Sequence, residues 1–196
     1  MSPNYSNLLL TLQRYAEAEV AYRKAIALDP KDSIAYDGLG ILLREEGRLN
    51  DAETAHRTAI KLDPDNSAAY TNLGYLLRSS NRLAEAVPVF QKSQRLETNF
   101  NSLLCLAGIH KQLGNLRGSI KYASEASRLI PVGDWYNIAR LESIRGNVDA
   151  AFENLRRAAQ QVDFDHAWAW RNSDLEWIRA DPRFREIVGP PPESNG

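Results

Sequence analysis

Ala25-Ile26-Ala27-Leu28-Asp29-Pro30 returns 34 residues later as Ala59-Ile60-Lys61-Leu62-Asp63-Pro64. At the same offset Ser33, Tyr36, Leu39-Gly40, Leu42-Leu43-Arg44, Arg48-Leu49 and Ala52 recur as Ser67, Tyr70, Leu73-Gly74, Leu76-Leu77-Arg78, Arg82-Leu83 and Ala86. A chain that repeats itself at this period does not wrap around one central core. Each repeat is a supersecondary unit too small to bury its own apolar face, so neighbours must stack to cover one another. Within a repeat the apolar residues fall at helical spacing, as with Tyr36, Leu39, Gly40 and Leu43, and no strand pattern competes. Gly47, Gly114 and Gly146 stand where a left-handed residue ends a first helix, and Pro30, Pro64 and Pro131 stop a second helix from continuing.

The diagnostic residues of the repeat 33–66 are Tyr36, Leu39-Gly40, Ala52, Ala59 and Pro64. The repeat 67–99 offers Tyr70, Leu73-Gly74 and Ala86, then departs at Ser93 and Thr98. Repeat 100–131 keeps Ala107, Gly114, Ala123, Ala126 and Pro131, and repeat 132–165 supplies Trp135, Ile138-Ala139, Gly146, Ala151 and Ala158. Residues 1–32 hold the end of an earlier repeat, with Ala18, Tyr22, Ala25 and Pro30 in place. This pattern resembles the tetratricopeptide repeat family of helix–turn–helix units. The resemblance implies an all-α fold, an α-solenoid wound as a right-handed superhelix, over residues 1–165. It also implies a non-enzymatic protein–protein interaction module.

The carboxyl end breaks the repeat. Ser173-Asp174-Leu175-Glu176 reads as a capping box opening a short helix through about Ala180, and Asp181-Pro182 as cap and first-turn proline of a last helix, Arg183 to Val188. The stretch from Asp174 to Phe184 looks like the terminal segment that follows many bacterial arrays of this family. Residues 166–188 are therefore read as capping helices that cover the open end of the last repeat, with Trp168, Trp170, Trp177 and Phe184 as the plug. Residues 189–196, with three prolines, read as a flexible tail.

Composition excludes several classes. The 196 residues carry 24 Lys plus Arg against 25 Asp plus Glu, a net charge of −1, without the basic surplus that phosphate-driven nucleic-acid binding demands. No apolar run approaches membrane-spanning length, and no leader pattern opens the chain. The single cysteine, Cys105, fits a reducing compartment, so the expectation is a cytoplasmic protein without nucleic-acid partner or membrane insertion. There is no phosphate loop, no His-Glu-x-x-His, no Gly-x-Ser-x-Gly and no cysteine pair; catalytic and metal sites and cofactors are all expected to be none. His56 and His110 fall at helix-contact positions and read as packed rings, and the cluster of Asp163, Asp165 and His166 at a repeat end reads as aspartate capping the next helix.

In the family, the first helices of successive repeats line a concave groove that grips extended peptides or partner helices. Carried onto this chain, the groove candidates are Arg44, Arg78 and Lys111 at the twelfth place of successive repeats, with Asn72, Tyr75, Tyr136 and Arg140; Asp37, Ile41, Asn101 and Asn137 lie nearby. Such a cation ladder suits an acidic protein segment. The lysine–asparagine pattern with which one subtype holds a chaperone tail is matched only by Asn72, so that ligand is disfavoured. Two rival roles remain open. The apolar residues Leu8, Leu9, Leu10 and Leu12 at an uncovered amino end suit a self-associating homo-oligomer, or the edge of a sensor arm belonging to a larger chain.

Overall fold

The computed structural model describes residues 15–192, and every described element is helical. The leucines expected to form an open amino end, and residues 193–196 of the expected tail, lie outside the described residues. The chain divides into two compact units, residues 1–98 and 99–196.

In the amino-terminal unit, α1 (Tyr15–Leu28) precedes two helix pairs: α2 (Ser33–Glu45) with α3 (Leu49–Leu62), and α4 (Ser67–Ser79) with α5 (Leu83–Leu96). Each packs on the next. Both first helices start at an Asx side chain that caps a free backbone donor: Asp32 accepts from Ala35 N at 3.0 Å and Asn66 from Ala69 N at 3.0 Å. The pairs close because a ring on the second helix lies where the first has no side chain. A Cβ on Gly40 would stand 2.6 Å from the His56 ring, and one on Gly74 would stand 2.8 Å from Phe90. Ala52, Ala59 and Ala86 complete the contact, wholly buried. His56 thus fills the place of an aromatic, as its register predicts.

A charged clamp repeats with the array. Arg48 donates to Glu19 at 2.9 Å, and 34 residues on Arg82 pairs with Glu53. Each arginine opens a second helix and reaches back to the second helix of the repeat before, while also meeting an acid in its own first turn, Asp51 or Glu85. Hydrogen bonding to Arg82 holds the Glu53 carboxyl below the usual carboxylate range. These exposed pairs fix angular register more than they add stability.

The carboxyl-terminal unit holds α6 (Phe100–Gln112) with α7 (Leu116–Ser127), α8 (Trp135–Arg145) with α9 (Val148–Ala159), and α10 (His166–Arg171). A single turn of 3-10 helix (Ser173–Leu175), α11 (Glu176–Arg179) and α12 (Pro182–Val188) follow. Asn99, Asp134 and Asp165 cap α6, α8 and α10. A turn containing Gly133, at φ 90°, delays α8 to Trp135, so this first helix has 11 residues where α4 has 13. In the α6–α7 pair the large and small partners trade sides: His110 on the first helix meets Gly118 on the second and stacks on Tyr122 at 5.3 Å.

The cap differs in detail from its sequence reading. Asp181 does cap α12, accepting from Arg183 N at 3.0 Å. The capping box at Ser173 does not form. Asn172 accepts from Asp174 N instead, and the Glu176 carboxylate that would close the box accepts from Gln112. The plug is also divided. Phe184 and Trp170 meet edge to face at 4.9 Å and close the last repeat with Phe152, Leu155, Leu175, Ile178 and Val188. Trp177 joins a separate cluster with Leu103, Leu104 and Ile144, and Trp168 stays 45% exposed.

Gly47, Gly114 and Gly146 end first helices at φ 77°, 73° and 84°; the remaining repeat uses Asn81 at φ 57°. Asn81→Gly should raise unfolding free energy by roughly 0.5–1 kcal/mol, reduced by the greater freedom of glycine in the unfolded chain, and urea titration reads it. His110 has both ring nitrogens buried without a partner, and burial, then the Lys121 charge, holds its pKa below the ordinary imidazole value. The unfolded chain then binds a proton more readily than the folded one, so stability is full above the unfolded value of about 6.5 and falls as pH drops through it toward the folded value. Melting temperature against pH should flatten over that window in His110→Phe.

Candidate functional site

The first-helix residues named from the register fall into two faces, one in each unit. On α2 and α4, Arg44 is partly exposed and bonds Glu45 at 2.7 Å. Ile34 is 61% exposed, Ile41 and Tyr75 are half-buried, and Tyr75 stands edge-on to Phe90 at 5.5 Å. Arg78 is only 8% exposed, so this twelfth-place cation belongs to the interior of the fold rather than to an open ladder.

Asn72 is committed as well. Its Nδ2 donates to Oδ2 of Asp37 at 2.9 Å, while Oδ1 of Asp37 lies 2.7 Å from Nδ1 of the fully buried His56. A carboxylate only accepts, so both neighbours donate to it, and the two oxygens of Asp37 tie α2 to α3 and to α4. Nearby, burial and then the Asp37 charge push the Tyr22 hydroxyl up to about 12.

On α6 and α8 the named residues converge. Arg140, 5% exposed, donates from Nη2 and Nε to Oδ2 of Asp174 at 2.7 and 3.1 Å and from Nη1 to Oδ1 of Asn101 at 2.9 Å. The Tyr136 hydroxyl accepts from Nδ2 of Asn172 at 3.0 Å, and burial leads the causes that raise its pKa to about 12. Lys111 donates to the carbonyls of Ser143 and Ile144 at 3.1 and 2.7 Å, closing the end of α8, and stands 4.1 Å over the Trp177 ring. Burial lowers its pKa against the opposing pull of Glu176.

Among the described residues, no group of three His, Cys, Asp or Glu is placed to hold a metal, and no helix is long and apolar enough to cross a membrane. Cys105 is buried in α6. What sequence reasoning missed is what meets Tyr136, Arg140, Gln112 and Lys111, respectively Asn172, Asp174, Glu176 and Trp177. The latter four lie more than thirty residues from the former, and no pattern in the chain pairs them.

Three tetratricopeptide repeat family models match the chain, at residues 4–32, 21–54 and 38–97. No curated protein sequence matches it. TTC0263, a tetratricopeptide protein of Thermus thermophilus, superposes with a TM-score of 0.67 at 20% identity, over 83% of this chain and 90% of its own. PilW, described as a widely conserved type IV pilus biogenesis factor, gives 0.69 at 18%, over 94% and 87%. YrrB, described as having an unusual peptide-binding site, gives 0.56 at 22%, over 85% and 88%. The chain belongs to the tetratricopeptide repeat family and has its all-α solenoid fold. Proteins of this family are in general non-enzymatic modules that bind other proteins.

The buried Arg140–Asp174 pair should dominate the energetics of the carboxyl-terminal unit. Arg140→Met leaves the Asp174 carboxylate buried without its cation and should cost roughly 3–5 kcal/mol. Arg140→Met combined with Asp174→Leu should recover most of that loss. Chemical denaturation of the two variants checks the difference.

Proposed function

We propose that this protein is a non-catalytic adaptor that holds an acidic segment of a partner protein against its first helices. Family membership supports the general role. The reading of the ligand as acidic rests on one observation: in the carboxyl-terminal unit, the first helices receive carboxylates at and beside the places that the register assigns to the groove, Asp174 on Arg140 and Glu176 on Gln112. Arginine suits this task through its paired donors, and exposed cations beside aliphatic side chains give both attraction and contact area.

The face of α2 and α4 is proposed as the docking place. Ile34 and Ile41 supply apolar surface, Arg44 supplies charge at the rim, and Tyr75 offers the edge of a ring. Asn72 acts through Asp37 as a positioning residue rather than as a free donor. Arg78 and Lys111 serve poorly as probes of binding, since charge reversal at a buried arginine or at the lysine that closes α8 would disturb the fold first.

Arg44→Glu is the test. A partner captured by the wild-type chain from its source lysate, then titrated against both proteins, should bind the variant at least tenfold more weakly and with a shallower salt dependence. Unchanged affinity at every salt concentration would overturn the reading.

A further inference from the structure

The α6–α8 face already carries a segment of chain. Its host residues are Asn101 and Lys111 on α6 and Tyr136, Asn137 and Arg140 on α8, the positions that the register assigns to partner binding. The occupant is the stretch 172–179. Along it, Asp174 meets Arg140, Leu175 is wholly buried, Glu176 accepts from Gln112 at 2.7 Å, and Trp177 lies beneath the Lys111 ammonium. Asn137 completes the cradle by accepting from Nη1 of Arg140 at 2.5 Å.

Two features distinguish this stretch from an ordinary part of the repeat. It has little internal structure, a three-residue 3-10 turn followed by a four-residue helix, too short to hold its shape alone. Its polar contacts to α6 and α8 are made by side chains 34 to 64 residues distant in sequence, several of them charge-assisted. The segment is therefore shaped by its host, as a bound peptide is. The order of its residues states what the host accepts: a carboxylate, an aliphatic side chain, a second carboxylate, an indole.

We propose that the α6–α8 face is a receptor for a partner segment of this acidic–aliphatic–acidic–aromatic order, and that residues 172–179 are its resident ligand, displaced when the partner binds. This rests on the reading of the protein as a holder of partner segments and adds a second, gated face to it. The tether keeps the resident segment at an effective concentration on the order of millimolar. Occupancy lowers the apparent affinity for any outside segment by the fraction of time the face is open. The incoming aliphatic residue is required because Leu175 and Ile178 also cover the last repeat, and their departure would expose it.

The probe is a synthetic peptide of this chain's residues 171–181, titrated by calorimetry into the full chain and into the same chain carrying Asp174→Ala and Trp177→Ala. The double variant should bind it at least tenfold more tightly than wild type does, and adding Arg140→Met should abolish that binding. Equal affinity, or no binding to a double variant of native helicity, overturns the proposal. Should the double variant not fold, hydrogen exchange of the wild-type chain decides. Amides of 174–178 exchanging at least tenfold faster than those of α8 and α12 support displacement, and exchange only together with those helices overturns it. Either failure leaves the Arg44→Glu result at the α2–α4 face untouched, so the two readings fall separately.

Discussion

The fold depends on a ring settling into the hollow left by a missing side chain. Two helices of 13 or 14 residues can approach to backbone distance only where one of them gives up its Cβ, and in the amino-terminal unit Gly40 and Gly74 do so beneath His56 and Phe90. Any added atom meets an aromatic edge, so overpacking there would cost about 1–3 kcal/mol. That contact also sets the rotation of the first helix: on α2 Ile34 is left open and Ile41 and Arg44 partly so, whereas Asp37 is turned onto His56 and, on α4, Tyr75 onto Phe90. Which residues can meet a ligand is thus a by-product of how the pair closes. The α6–α7 pair reaches the same closeness with the partners reversed, His110 against Gly118, which shows that the constraint is on volume across the contact rather than on either position.

Much of this architecture was legible in the residues because it is local or periodic. The helix pairs, the glycine stops, the caps at Asp165 and Asp181 and the packed rings of His56 and His110 all follow from spacing and side-chain size. Asn81 in the glycine position of its repeat is also a local feature, since asparagine is the substitute that a left-handed turn tolerates best. The site was legible only as far as the register reaches. Arg140 meets Asn101 and Asn137, but the residues that lie against them and against Tyr136 were hidden, because a contact across 34 or more residues outside the repeat leaves no periodic trace. The same holds for Arg78 and Lys111: the twelfth place is a direction on a helix, and what lies in that direction depends on neighbours that differ from repeat to repeat. The capping box failed for a related reason. The Glu176 carboxylate, which would close the box on the backbone amide of Ser173, accepts instead from Gln112, 64 residues away in sequence.

The carboxyl-terminal segment performs two tasks with different residues. Phe184, Val188 and Trp170 cover the apolar end of the last repeat, while Asp174, Glu176 and Trp177 run along the first helices. A cap needs only the former. The polar set makes the segment specific in register and direction, at the energetic cost of burying a charged pair that apolar residues could replace. Such specificity is unnecessary for solubility and natural for a ligand.

The chain of hydrogen bonds from His56 through Asp37 to Asn72 has an evolutionary consequence. It joins a residue of the helix-pair interior to one on the outward face of the next repeat through a single carboxylate. Replacing Asn72 to suit a new ligand strands an oxygen of Asp37; replacing Asp37 strands a ring nitrogen of His56, which is already wholly enclosed above Gly40. The three positions, and the glycine beneath them, can therefore drift only as a block. Phe90, in the ring position of the next repeat, has no ring nitrogen to strand, and there Thr71, at the place of Asp37, is tied instead to the buried Ser93 hydroxyl at 2.7 Å, so the second block is built from different atoms at the same places.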